Sequence, residues 1–349
     1  MSLWVFALLV KVLGIATPVG FGQAIAGMNI AALVLLGVLA WKAAPWGGIA
    51  TEDWLWVGAL AASNPVAIWL HRTVWAQSVT PLFLLLFWCG FFQRRKWWGA
   101  LLWGVVGMCL GQIHMVGFVL FFSILLLAVL LRRRESTHWW GLAVGILAAG
   151  WPLIPWATEV AGGKYQAAAR VFGGLPGKAW IWWFLSDTGL GSSYLFSNRM
   201  LPSSFAGFLR QPVVGGISTW GVALLHAALE LVVFVSLGCW TIARLRERDV
   251  RQLLTKETDD ATYVVRMLLA GFCVLLTLMP APVFVHYFLL VFPMGFLWVS
   301  WMVGRCSLWK GKGPVALSLM VALQLLLSVT LAAYVHQNAA NGGNRFGIH

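Results

Sequence analysis

Long apolar runs alternate with short polar or basic segments along almost the whole chain. Runs of roughly 17–25 apolar residues are long enough to cross a bilayer as helices. The pattern therefore predicts ten membrane spans, while a shorter run at 3–14, which contains Lys11, is not counted among them. The predicted spans are 21–41, 54–70, 74–92, 97–112, 115–131, 139–157, 218–243, 263–281, 284–304 and 314–336.

Three pairs of these spans are joined without a charged loop. As one helix, the segment 97–131 would be about 52 Å long at 1.5 Å per residue, which exceeds a hydrocarbon core of about 30 Å. Basic clusters flank this segment on both sides, so the chain must cross twice if both clusters are cytoplasmic. The predicted outer turns are 111–114, the region of His71 and Arg72, and 280–282.

Composition places the chain among polytopic membrane proteins. Hydrophobic residues make up 60% and charged residues 10% of the sequence, and the mean hydropathy is +0.83, whereas soluble domains carry about a quarter charged residues. The net charge of +13 is spread over short clusters, which argues against nucleic-acid binding. The five cysteines show no CxxC spacing, so neither a disulfide framework nor a metal site is indicated. We expect an all-α transmembrane domain over 1–349.

The distribution of basic residues predicts the orientation. Sixteen of the 24 Lys and Arg residues fall on the proposed inner side, as the positive-inside rule requires. The long loop 158–217 is then extracytoplasmic, and the protein is expected in the plasma (inner) membrane. Within this loop the short aromatic stretch 179–185 predicts a helix that lies in the membrane interface.

Polar side chains recur where the helices reach the outer side. Ionisable groups at membrane depth are candidates for function, although a single such residue can also extend its polar end to water beside the headgroups. Five of these polar residues lie at or just after predicted outer turns, and we therefore expect the five to share one substrate-binding cavity. These residues are His71, Arg72, His114, His286 and Tyr287.

The outer loop adds cations and only two acids. Lys164 and Arg199 suit an anionic ligand such as a phosphate, and binding of lipid headgroups is the alternative. Glu159 and Asp187 are the only acids between 158 and 217, and they are the remaining candidates for a catalytic carboxylate. On the predicted span 218–243, His226 and Glu230 are four residues apart and form either a structural couple or part of a relay.

Three stretches resemble bacterial GT-C glycosyltransferases of the protein O-mannosyltransferase and aminoarabinose-transferase type. SNPVAIWLHRTVWAQSVTPLFLLL (63–86) is similar to a hairpin that turns around an arginine, here Arg72. WWGALLWGVVGMCLGQIHMVGFVLFF (97–122) is similar to the next hairpin, with His114 after its turn. PAPVFVHYFLLVFP (280–293) is similar to a late element that contains His286 and Tyr287. The resemblance is loose and covers roughly residues 1–304.

The resemblance implies a bundle of about 10–11 transmembrane helices with one large outer loop. It also implies a polyprenyl-phosphate sugar as donor, and transfer of the sugar on the outer face to a lipid, glycan or protein acceptor. Neither a metal nor a cofactor is expected besides the lipid-linked sugar, and the expected partners are that donor and membrane lipids. The sugar, the acceptor and the oligomeric state stay open.

The chain departs from this family at the catalytic base. Such enzymes use an acid in the first outer loop, whereas residues 1–20 resemble the end of that loop, beyond the acid. The first span and the family's acid are therefore expected to be missing, and neither Glu159 nor Asp187 matches the family position. The chain as given is accordingly expected to be truncated or inactive, to bind the lipid-linked sugar weakly and to transfer little or none of it. A transporter or flippase of an anionic lipid-linked substrate, and a non-catalytic membrane subunit, are the alternative interpretations.

Overall fold

The computed structural model describes residues 3–43, 46–130, 136–161, 177–197, 201, 204–246, 260–278, 283–309 and 311–338. Within these ranges the regular secondary structure is helical except for one short antiparallel hairpin. Its strands are β1 (Val213–Val214) and β2 (Ile217–Ser218).

Each predicted span in the first half of the chain is largely helical in the described residues. The helices are interrupted at proline and polar residues. Asn64 caps the helix that begins at Pro65, since its side-chain Oδ1 accepts hydrogen bonds from the backbone N–H groups of Val66 and Ala67. Consequently the predicted span 54–70 consists of two helices. The helices of this half are α1 (Leu3–Leu13), α2 (Pro18–Lys42), α3 (Thr51–Ser63), α4 (Pro65–Arg72), α5 (Thr80–Phe92), α6 (Trp97–Ile113), α7 (Val116–Leu130), α8 (Trp139–Gly150) and α9 (Ile154–Ala161).

The second half combines long spans with short, broken elements. A π-helical segment at Leu268–Phe272 joins two α-helices into one span, and a 3-10 helix at Val285–Val291 precedes another. The predicted turn at 280–282 lies outside the described residues. The helices are α10 (Lys178–Thr188), α11 (Ser192–Ser197), α12 (Phe205–Leu209), α13 (Gly221–Arg246), α14 (Asp260–Met267), α15 (Cys273–Leu278), α16 (Met294–Gly304) and α17 (Gly313–Asn338).

Several helices are long and apolar enough to cross a membrane. Four described stretches meet this condition by themselves, and two bent pairs raise the number to six. The pairs are Pro65–Arg72 with Ala76–Phe92, bent by 111°, and Val285–Val291 with Met294–Gly304, bent by 88°. The chain is thus an all-α protein with several candidate membrane spans, and the figure of ten spans stays a prediction.

One end of the bundle, which we call the charged end, is held by two ion pairs. The Arg94 guanidinium is buried and donates to both carboxylate oxygens of Asp260, at 2.9 and 3.0 Å, and to the Ser136 hydroxyl at 3.2 Å. Arg305 pairs with Asp53 at 3.0 Å. These contacts bring the predicted inner connections to the same end of the bundle, while the side of the membrane on which they lie stays a prediction.

Glycines allow α6 and α8 to pack backbone against backbone. A Cβ added to Gly104 would lie 2.6 Å from the Leu142 carbonyl oxygen, and one added to Gly145 would collide with the Leu101 carbonyl. Small residues at a crossing are the usual means by which membrane helices approach closely, because lipid provides no hydrophobic drive for their association. This crossing also supports the antiparallel α6–α7 hairpin that carries His114.

The helix predicted at 179–185 forms, as α10, and one of its faces packs into the bundle, while its location in the membrane interface stays a prediction. Trp183 is buried between Phe288 and Trp298, and the Trp180 indole donates to the Leu269 carbonyl at 2.8 Å. Ile181 remains exposed. The described part of the segment between α9 and α13 therefore contributes to the core of the bundle.

Candidate functional site

The turn after α4 is built from side chains that bind the last carbonyls of that helix. Thr73 donates to the Trp69 carbonyl and Ser78 to the Leu70 carbonyl, at 3.0 and 2.7 Å. The Asn29 amide donates to the His71 carbonyl at 2.9 Å. Because helix C-termini leave carbonyls without intrahelical partners, these bonds end α4 at Arg72 and hold the turn against α2.

A cavity of about 230 Å³ opens beside this turn. Its walls are almost entirely apolar, while His71, Arg72 and Asn29 supply its polar groups. Arg72 is exposed, and its guanidinium lies 5.6 Å from the centre of the Trp69 ring. We call this the α2–α4 cavity, and its other lining residues are Ala26, Ile30, Leu33, Ala61, Ala62, Ala67, Ile68, Pro81, Phe292 and Phe296.

Next to the turn, five aromatic rings form what we call the histidine cluster: Trp75, His114, Phe284, His286 and Tyr287. The His286 ring lies 4.5 Å from Trp75, 6.0 Å from His114 and 4.8 Å from Tyr287, between ring centres. It also stacks on Phe284 at 5.4 Å, with the planes 9° apart. His114 contacts Tyr287 at 5.0 Å. The turn after α4, the α6–α7 turn and the start of the 3-10 helix Val285–Val291 therefore converge.

Two imidazoles at this end keep an unpaired nitrogen. Among the described residues, Nδ1 of His71 and Nδ1 of His286 are buried and have no hydrogen-bond partner. Buried polar atoms are nearly always hydrogen-bonded in native proteins, so each exception needs an explanation. Unpaired buried atoms also occur elsewhere in the described chain, at Trp103 Nε1 and Ser236 Oγ for example, so the two imidazoles mark a ligand site only together with the adjoining α2–α4 cavity.

Helix α1 packs against the outside of this region. Val5 forms a small apolar cluster with Ile25, Val79 and Ile113, and Ile113 is the residue before His114. The Trp4 ring meets Phe83 edge to face at 5.9 Å. The N-terminal helix thus braces α2, α5 and the end of α6, which together carry the turns of the site.

The candidate acids lie elsewhere. Asp187 is 3% exposed, and its carboxyl packs so closely against Gly295 that a side chain at that glycine would collide with it. Burial raises the pKa of Asp187 well above its ordinary range. A deprotonating base must reach its substrate, so this carboxyl does not fit that role. Glu159 is exposed on α9.

A buried amide network surrounds the backbone next to Asp187. The Asn64 amide donates to the carbonyls of Ser186 and Asp187, at 2.9 and 3.1 Å. The Gln324 amide donates to the Thr188 carbonyl at 2.9 Å and accepts from the Ser63 hydroxyl at 2.9 Å. The end of α10 is therefore tied to the α3–α4 break and to the middle of α17.

The structure brings together some of the predicted site residues and separates others. His114, His286 and Tyr287 are in direct ring contact, while His71 and Arg72 line the adjoining α2–α4 cavity. Lys164 and Arg199 lie outside the described residues.

Sequence reasoning did not select Trp75 or Phe284 as site residues. Trp75 follows Arg72 by three positions, and Phe284 precedes His286 by two. Their proximity along the chain to predicted site residues was the available signal. Aromatic residues are abundant throughout this chain, however, and a ring near an interface has no distinctive pattern.

Comparison of the chain with protein-family models, with curated proteins and with solved structures found no match.

Proposed function

We propose that the protein binds a polyprenyl-phosphate sugar and takes part in transfer of that sugar to a hydroxyl acceptor on the outer face of the plasma membrane. The α2–α4 cavity carries this proposal, because it combines apolar walls with Arg72 and His71. A polyprenyl phosphate has the same two parts, a hydrocarbon chain and an anionic head.

Arg72 is the group proposed to bind the phosphate. A guanidinium binds phosphate oxygens through charge-assisted hydrogen bonds, often two at once. Its exposed position leaves its donors accessible to a lipid headgroup. The pairing would also stabilise the phosphate as it leaves the sugar, since positive charge near a leaving phosphate favours the transition state.

The histidine cluster is proposed to receive the sugar. Trp75, three residues after Arg72, joins the cluster to the chain segment that carries Arg72, and the proposal places the sugar on the side of the phosphate that faces these rings. The unpaired Nδ1 of His286 is a donor or acceptor for a sugar hydroxyl. Lys164 and Arg199 remain proposed phosphate-binding residues on the basis of sequence alone.

Binding of a radiolabelled polyprenyl-phosphate sugar to the purified protein tests the proposal. Loss of a charged hydrogen bond costs about 1.5–3 kcal/mol, so Arg72→Ala should weaken binding about 10- to 100-fold. Ala62→Leu should also weaken binding, because it places a larger side chain at the wall of the α2–α4 cavity. Arg95→Ala, an exposed arginine beside the charged end, is the matched control and should bind as the wild type does.

Equal donor binding by the wild type, Arg72→Ala and Ala62→Leu would refute the cavity as the donor site. Transfer of the labelled sugar to a lipid or peptide hydroxyl is measured in the same preparation. Transfer that is unaffected by Arg72→Ala would also contradict the role proposed for that residue.

A transporter or flippase is a second candidate, because the chain has broken spans and a polar interior. Discontinuous helices near the membrane centre are typical of substrate sites in transporters. Here α3 and α4 are separated at Asn64, whose amide belongs to the buried network around Ser186 and Gln324. Movement of a fluorescent anionic lipid across reconstituted vesicles, without chemical change, would favour this function over sugar transfer.

A further inference from the structure

Three side chains from two separate segments line up as a hydroxyl, an imidazole and a carboxylate. The Ser192 Oγ lies 3.4 Å from His226 Nε2, and His226 Nδ1 lies 3.1 Å from Glu230 Oε1. Ser192 begins α11, whereas His226 and Glu230 are one turn apart on α13. The order of atoms is that of a nucleophile, its general base and the carboxylate that orients the base.

The carboxylate determines which imidazole nitrogen is free. Glu230 Oε1 lies 3.1 Å from His226 Nδ1. Since a carboxylate only accepts hydrogen bonds, it favours the neutral tautomer with its proton on Nδ1 and its lone pair on Nε2. Nε2 faces the Ser192 hydroxyl and is therefore the atom that can accept its proton. A histidine with the opposite tautomer would present an N–H group to the serine and could not act as its base.

The three residues differ in how exposed their side chains are. Ser192 and His226 are buried, at 3% and 9% exposure, and the Phe205 ring meets the imidazole edge to face at 5.8 Å. The Glu230 side chain is 48% exposed. Its exposed neighbours on α13 are Leu224, Leu231 and Phe234.

This exposed stripe indicates where a substrate would come from. The stretch Gly221–Ala243 is a candidate membrane span, and exposed apolar residues on such a helix face lipid. An acid among lipid-facing residues is costly unless it is paired or functional. A molecule that reaches Glu230 and His226 along this surface is itself lipid-soluble.

We propose that Ser192, His226 and Glu230 are the nucleophile, general base and orienting carboxylate of an acyl-transfer site that takes a carboxylic ester of a membrane lipid. This activity is independent of the sugar transfer proposed above, since it uses different residues.

The proposed reaction has two balanced steps. Ser192 Oγ attacks the ester carbonyl while its proton moves to His226 Nε2, and the carbon–oxygen bond to the alcohol then breaks as that proton passes to the leaving oxygen. The products are a free alcohol and an acyl-serine. Water or an acceptor hydroxyl then gives its proton to His226 and attacks the acyl-serine. The bond between the acyl carbon and Ser192 Oγ breaks as His226 returns the proton to that oxygen, and a carboxylic acid or a new ester is released.

Covalent labelling of the full chain in detergent tests the site directly. The probe is an alkyl fluorophosphonate, which bonds to a serine oxygen that a neighbouring base activates. We expect one phosphonylated residue in the wild type, identified as Ser192 by peptide mass spectrometry. Ser192→Ala should abolish this adduct, whereas Ser193→Ala, which changes the exposed neighbouring serine, should leave the rate of labelling unchanged.

The base and the carboxylate are tested by rates. His226→Gln should slow labelling of Ser192 by at least about 100-fold, the lower range for loss of a general base. Glu230→Gln should slow it by at least about 10-fold, because an amide can donate to Nδ1 and thereby stabilise the wrong tautomer. A thermal unfolding curve for each variant shows whether it is folded before its rate is compared.

Two results would overturn the proposal. One is absence of an adduct on Ser192 in wild-type protein that unfolds cooperatively, which would leave the three residues as a structural hydrogen-bonded chain. The other is labelling of Ser192 at the wild-type rate in folded His226→Gln, which would show that the imidazole does not activate the hydroxyl.

Discussion

The charged end and the histidine cluster differ in how far their buried polar atoms are hydrogen-bonded within the protein. At the charged end, the Arg94 guanidinium meets both oxygens of Asp260 and also the Ser136 hydroxyl, and of its three nitrogens only Nε lacks a partner within the described chain. In the histidine cluster, His286 contacts aromatic rings on several sides, yet its Nδ1 has no partner among the described residues. Most donors of the first region are engaged in contacts that tie distant segments of the fold together, while the second region carries the proposed ligand-binding role.

The same contrast exists in local structure. The charged end joins helices that begin or end near it, such as α5, α6 and α14. The histidine cluster is formed by turns and a 3-10 helix, which have fewer internal hydrogen bonds than long α-helices. Regular helices hold the scaffold, and the breaks between them present side chains at the site.

Accessibility labelling gives the largest expected difference between the two regions. In a cysteine-free background, Met115→Cys next to the cluster should react with a membrane-impermeant maleimide in intact cells. Lys96→Cys near the charged end should react only after permeabilisation. Both positions are exposed, and the expectation follows from the positive-inside rule. The reverse pattern would overturn the orientation and the outer location of the cluster.

Removal of Arg94 should have the largest effect on stability. Arg94→Ala removes a guanidinium that is 1% exposed and meets both oxygens of Asp260, whose side chain is 23% exposed. Breaking a buried pair costs about 3–5 kcal/mol, and the partial exposure of Asp260 places the expected loss at the lower end of that range. The free energy of unfolding is measured by denaturant titration in detergent. Arg305→Ala is the control, because its side chain is 62% exposed and such pairs contribute up to about 1 kcal/mol. Equal losses in the free energy of unfolding of the two variants would contradict the distinction between the buried and the exposed ion pair.

Replacement of His286 should have the smallest effect on stability. His286→Phe retains a flat ring in the stack with Phe284 and removes a nitrogen that has no partner. Replacing an unpaired buried polar group by an apolar one of similar shape is nearly neutral or stabilising, so we expect a change below about 1 kcal/mol. Binding of the lipid-linked sugar should nevertheless weaken. A large loss of stability would indicate that His286 is structural.

Part of the candidate site could be predicted from the chain. Flanking arginines and the length of segment 97–131 predicted a turn close to His114, and α6 does end at Ile113. His286 and Tyr287 were expected near it because they follow another predicted outer turn. Trp75 could not be chosen in the same way, since its importance depends on a ring contact between chain segments that are more than two hundred positions apart.

The burial of one face of α10 could not be predicted from the sequence either, because it also depends on contacts with distant residues. A short aromatic stretch such as 179–185 fits an interfacial helix and a buried one equally well. Its position depends on the amides of Asn64 and Gln324, which bind carbonyls 122 and 136 positions away. Local pattern carries no information about such partners.

The sequence by itself determined that this is a helical protein of the membrane type, and where most of its helices lie. Apolar run length, basic flanks and breaking residues act within a few turns of the chain, so they can be read without knowing the fold. Only the tertiary structure decided that Arg94 is buried with Asp260, that Asp187 is enclosed beside Gly295, and that Ser192 meets His226. Each of these facts depends on a contact between distant segments, and the packing of the whole bundle selects such contacts.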